Sequence, residues 1–265
     1  MRRYRRQTDL SDADRVRLDF TLGLFGPAMK EGARAANAYK VEHARAYGRR
    51  LTGGHPVLGS GDPQFKDLSL VEDPAKLPLV IGGAGYGEFL GPQFVERHVR
   101  AGRFASPEVA MPKSDVPLFE GVDLVDASGS YRMFGASAFV ILVDERKLDG
   151  RPIPGSWEEL LGSRYAGRVV MGFNIDDVNE IPLVSLYRWY GIEAVAALVR
   201  NLAGLVDTLD MMRTSIPGDN ANAIMLVPYF FAAAAPKRPW LKVVWPREGA
   251  ILSPLYYLAQ DDPEG

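Results

Sequence analysis

Leu77-Pro78-Leu79-Val80-Ile81 runs without a break into Gly82-Gly83-Ala84-Gly85-Tyr86-Gly87-Glu88, and a helical stretch follows across about 92–101. A short apolar strand, a glycine turn and a helix make the unit from which parallel sheets are assembled, because parallel strands need a crossover between them. The pattern recurs along the chain. At 16–22, Val16, Leu18, Phe20 and Leu22 alternate with Arg17, Asp19 and Thr21, the period of a half-buried strand. A Gly/Pro break ends it, and a helix rich in Ala, Lys and Arg is expected across 28–47. Pro27 stands at its entrance, where the missing N–H costs nothing. A Gly/Pro-rich loop is expected at 52–63. Further strands are expected at 136–143, 168–172, 223–228, 241–245 and 255–258, and helices at 180–190 and 192–203, parted by Gly191. Ser156 followed three residues later by Glu159 predicts a capped short helix. Strands and helices alternating in this way define an α/β chain.

Size and charge then narrow the function. A chain of 265 residues suits two α/β lobes or one large domain. Its formal net charge of −2 argues against a nucleic-acid partner, which requires a concentrated basic surface. The basic cluster Arg2, Arg3, Arg5 and Arg6 sits at a terminus and reads as a solvated tail. With no cysteine, disulfides, thiol nucleophiles and thiolate metal sites are excluded. The arginines lead into the polar run Gln7–Asp12 rather than an apolar one, so no export leader is expected in this chain.

From Leu77 onward, the order of several phrases resembles the type II periplasmic solute-binding proteins of ABC transporters, in their ferric-iron and anion-binding branch. The phrases are Leu77–Phe89, Val122–Asp126 running on to Val143, Trp157–Val170, Val227–Ala232 and Val244–Ile251. The resemblance implies an α/β, two-lobed fold with a ligand cleft between the lobes. Lobe one would comprise 1–130, with 249–265 returning to it, and lobe two 131–248. Bending is expected near 128–131 and 249–254. The implied activity is capture of a small ligand (iron, another metal ion or a small anion) for an ABC-transporter permease, with no catalysis and no cofactor. The implied location is periplasmic, and the missing leader leaves a cytoplasmic one open. The alternative is a cytoplasmic carrier, or an enzyme built on the same two-lobed fold. Family members continue past the return strand with helices that finish lobe one. This chain is therefore expected to stop short of them, to leave an apolar face underprotected, and to self-associate.

The site residues follow from this frame. Gly83, Gly85 and Tyr86 lie in the glycine stretch, either a plain turn or a loop whose N–H groups and phenol face the ligand. Asn174 and Asp176 stand between a strand and a helix, as caps or as ligand contacts. Arg213 offers a planar fork for an anion, or else a solvated face. Tyr229 follows a strand end, and Glu248 lies on the return crossover. Tyr256 and Tyr257 are adjacent in a strand, so at most one can face a cleft. His43, His55 and His98 are dispersed and make no metal set. No nucleophile elbow, zinc helix or Walker loop occurs, and no acid–base pair stands out.

Overall fold

A computed structural model describes residues 16–24, 26–54, 68–84, 88–110, 116–174, 177–178, 180–207, 223–235 and 237–260. Strand β1 (Phe20–Gly23) leads into the 21-residue helix α1 (Pro27–Tyr47). Pro27 occupies the first helical turn. Gly48 closes the helix with φ of 68° and its N–H on the Ala44 carbonyl at 3.1 Å, the left-handed stop that glycine adopts without strain. A two-residue strand β2 (Gly53–Gly54) follows. Asp19 ties these pieces together: its carboxylate accepts from Thr52 N at 2.6 Å, Thr52 Oγ1 at 2.8 Å and Arg49 at 2.8 Å.

Next come β3 (Val80–Ala84) and α2 (Pro92–Phe94), which continues through π-helical Val95–Val99. After these, β4 (Arg132–Asp144), α3 (Trp157–Leu160), β5 (Val169–Asn174) and β6 (Asp177–Val178) lead to α4 (Glu180–Tyr190) and α5 (Ile192–Asn201). The chain ends with β7 (Leu202–Asp207), β8 (Ile224–Pro228), α6 (Tyr229–Ala234), β9 (Leu241–Val244) and β10 (Ile251–Ala259). Among the described residues, no helix is long and apolar enough to cross a membrane.

The chain divides into two compact units, Met1–Gly135 with Pro254–Gly265, and Ala136–Ser253. Two strands carry it from one to the other, β4 and β10, and these are neighbours in the hydrogen-bonded strand order. In the first unit that order is β2-β1-β3-β10, with β1 parallel to both β2 and β3 and β10 antiparallel to β3. Its core gathers Leu68, Val71, Leu77, Ile81, Phe89, Phe94, Val99, Phe104, Tyr131 and Leu258. His98 is buried beside them, with Nε2 2.7 Å from the Val71 carbonyl oxygen.

In the second unit β4 lies antiparallel to both β8 and β9, while β5 runs parallel to β8 and β7. Val140 and Leu142 pack with Val170, Met225, Val227 and Ala232. Ile141 and Val143 point the opposite way by strand alternation and are just as buried. A strand covered on both faces must be apolar throughout, which is why Phe139–Val143 reads as an unbroken apolar run.

The expected elements shift in places. Strand β3 starts at Val80 rather than Leu77, because Leu79 N and Val80 N first bond the carbonyls of Leu18 and Asp19, at 3.0 Å each. The helix expected across 192–203 stops at Asn201. Its side-chain amide donates to the Leu160 and Gly162 carbonyls at 2.9 Å each, and β7 begins at the next residue.

Candidate functional site

Open sheets with parallel strands receive ligands at the carboxyl ends of those strands, where loops and helix N-termini converge. Each unit has such an edge. In the first, β1 and β3 run parallel and end at Gly23 and Ala84. Gly82 and Gly83 belong to strand β3 and not to the loop expected there; Gly83 lies between Gly23 on one side and Tyr256 on the other. Packing explains the glycines. A methyl group at Gly82 would come 2.7 Å from Leu22 Cδ2 and 3.5 Å from the Tyr256 carbonyl oxygen. Gly85 and Tyr86, which continue from this strand end, lie outside the described residues. Three residues separate the end of β1 from the start of helix α1; its first turn has no acidic residue, and Gly26 supplies no capping side chain. Its amide dipole therefore points positive end first at that edge.

In the second unit β5, β7 and β8 run parallel and end at Asn174, Asp207 and Pro228. Asn174 is the last residue of β5, and Asp176 and Arg213 lie outside the described residues. Tyr229 follows Pro228 directly and opens α6. Trp245, which the sequence did not single out, joins it there. Pro228 sits opposite Phe139 on one side of β4 and Val244 opposite Ile141 on the other, so the next residues, Tyr229 and Trp245, emerge at one edge. Their ring centroids are 4.9 Å apart, tilted by 54°. Only strand register reveals this pair, since 15 residues separate the two in sequence.

Glu248 has a different setting. Oε2 accepts from Trp157 N at 3.3 Å, and Oε1 from the Tyr190 hydroxyl at 3.2 Å. Burial pushes its carboxyl up, but the backbone N–H groups of Glu248, Trp157 and Glu158 and the Tyr190 hydroxyl together hold it below the ordinary range. The same shared hydrogen bond, added to burial, pushes the Tyr190 phenol up. Glu248 thus pins its loop to α3 and α4. Beside it, Trp157 Nε1 donates to the Gly249 carbonyl at 2.8 Å, and Arg247 pairs with Glu159 at 2.7 Å. Tyr256 and Tyr257 are likewise committed to packing. Tyr256 meets the Tyr131 ring edge-on at 6.3 Å, and the Tyr257 hydroxyl donates to the Pro107 carbonyl. His43 Nδ1 lies 2.9 Å from the Arg49 carbonyl oxygen, which uses it locally. Among the described residues, no three His, Asp or Glu side chains gather as a metal set.

Comparison with solved structures gives the class. The ferric binding protein of Campylobacter jejuni matches with a TM-score of 0.58 at 15% identity, over 93% of this chain and 77% of that one. A Trichodesmium protein solved in complex with iron and citrate gives 0.58 at 14%, over 92% and 75%. The periplasmic binding protein AfuA of Actinobacillus pleuropneumoniae, solved with fructose-6-phosphate bound, gives 0.56 at 13%, over 94% and 75%. The fold is the mixed α/β fold of periplasmic binding proteins. The family follows from sequence: the model of the bacterial extracellular solute-binding proteins matches residues 75–264, and the chain belongs to that family. A search of curated proteins finds no match.

Proposed function

We propose that this chain is the ligand-capturing component of an ABC transporter, working outside the cytoplasm and handing a small ligand to a permease without converting it. The observation that carries the reading is the family match across 75–264. The form of the strand ends supports it. The edge of the first unit is built from backbone and a positive helix end, the way an anion is received. The edge of the second carries Asn174, Asp207 and Tyr229. Gly85 and Tyr86 would extend the first edge, and Asp176 and Arg213 the second. Glu248 contributes by holding its loop and not by touching ligand.

The proposed ligand is iron, another metal ion or a small anion. Neighbours solved with iron, with iron and citrate, and with fructose-6-phosphate bound support that range. A thermal-shift screen of the full chain against ferric citrate, inorganic phosphate, other divalent metals and hexose phosphates tests it. A ligand bound only by the folded state at a hundred times its Kd stabilises by about 2.7 kcal/mol, a shift of several degrees in the midpoint. We expect such a shift from at least one class. A midpoint unmoved by all of them at millimolar concentration would contradict capture of these ligands.

A further inference from the structure

Several tyrosines and tryptophans of this protein have their polar atoms tied to a protein acceptor, and others, Tyr229 and Trp245 among them, do not among the described residues. Trp157 Nε1 and the hydroxyls of Tyr131, Tyr165, Tyr190 and Tyr257 each hold a protein acceptor. The hydroxyl of Tyr229 and Nε1 of Trp245 hold none among the described residues. These two rings lie against each other at a strand-end edge, yet stay 41% and 53% exposed. Trp189 and Tyr190 of α4 also pair while partly exposed; what sets Tyr229 and Trp245 apart is their place directly after β8 and β9 at one strand-end edge. Proline also flanks each of them in the chain. Pro228 precedes Tyr229 and Pro246 follows Trp245, which fixes one backbone angle beside each ring and restricts Trp245 to extended conformations. A half-exposed aromatic pair on a restricted backbone costs less further ordering when it binds.

Resting on the reading of the chain as a ligand binder, we propose that Tyr229 and Trp245 form a platform for a hydroxylated ring. On this proposal the solute is a sugar or sugar phosphate and not a bare metal ion or inorganic anion. A sugar ring has a C–H face that lies on an aromatic face and an edge of hydroxyls. The Trp245 N–H can donate to those hydroxyls, and the Tyr229 hydroxyl can donate or accept. Phosphate and ferric citrate present no such ring face and gain nothing from Trp245. Small-molecule sites combine apolar aromatic walls with a few polar groups that fix orientation, and this pair supplies both.

Calorimetric titration of the full chain with glucose, glucose 6-phosphate and fructose 6-phosphate tests the proposal, with inorganic phosphate and ferric citrate as ringless controls. We expect at least one sugar to bind. Trp245→Ala and Tyr229→Ala should each weaken it by about tenfold or more, with the folded spectrum by circular dichroism retained. Trp245→Phe, which keeps a ring, should stay within about threefold, and Trp189→Ala, an exposed tryptophan of α4, should change nothing. If Trp245→Ala does not fold, Tyr229→Ala alone decides the matter. A sugar that binds both alanine variants as tightly as the parent would overturn the platform. So would binding of phosphate or ferric citrate with no sugar bound, but that result would leave the solute-binding reading standing. Silence from every probe would overturn the platform, and the screen against other divalent metals would then decide the solute-binding reading.

Discussion

The two units finish their parallel strands with opposite kinds of residue. In the first, β1 and β3 come together through glycines, with Gly23 beside Gly83 and no space at Gly82 for a methyl group. In the second, Tyr229 and Trp245 follow directly on β8 and β9, and both residues stay about half exposed. The packing beneath differs too. Helix α1 of the first unit has no buried residue among its described side chains, whereas Phe139–Val143 of β4 and Ile224–Val227 of β8 in the second are apolar and buried. A glycine edge offers backbone amides, which any anion can use; an aromatic edge selects by shape. On the proposals above, the first edge would meet an anion through backbone amides and the second would meet a ring through shape.

The largest effect should come from removing the base of the second unit. Trp157 is fully buried and also donates to the Gly249 carbonyl. Trp157→Ala should lose about 3–5 kcal/mol of stability, with part of that loss from the unpaired acceptor. Hydrogen exchange should show the loss in β4, β5 and β8 and spare β1 and β3. Equal loss in both units would erase the contrast, because the two would then unfold as one block.

A smaller effect should appear on the other side of the comparison. Burial pushes the Asp126 carboxyl up. Hydrogen bonds from Ser128, Tyr131 and Ser130 outweigh this, and its pKa is lowered overall. A lowered folded-state pKa gives stability that is present above the unfolded value of about 3.9 and is lost as pH falls through the folded value. The group is partly exposed, so solvent screening keeps the effect under about 1 kcal/mol. Acid titration should therefore show the first unit weakening below about pH 4, with a shallower slope in Asp126→Asn. An unchanged slope in that variant would place the acid sensitivity in other carboxylates, Asp19 first, whose hydrogen bonds from Thr52 and Arg49 likewise outweigh burial.

Much of this was legible in the residues wherever a local signal acts alone. Pro27 and Gly48 bracket α1 and bound it almost to the residue, and Gly191 parts α4 from α5 with φ of 78°. Ser156 caps α3 as its spacing predicts, accepting from Glu159 N at 3.0 Å. The Glu159 carboxylate turns instead to Gly155 N at 2.8 Å and to Arg247. Where a contact distant in sequence decides, local reading failed. The first two residues of β7, 202–203, read as the tail of a helix because no glycine or proline separates them from α5; the boundary is set by Asn201 gripping Leu160 and Gly162. Trp157 and Tyr190, the partners of Glu248, lie far away in sequence, and no local pattern announces them. Trp245 carries no motif at all. Only the register across β4 brings it to Tyr229.

The central claim is that one chain holds one small solute and releases it unchanged. Calorimetric titration with the probe that most raises the melting midpoint tests this directly, provided the solute is recovered afterwards and its spectrum recorded. The account expects heat that saturates at about one equivalent per chain and a solute chemically identical to the one added. Heat that continues with time after saturation, together with a changed solute, would show turnover and contradict it.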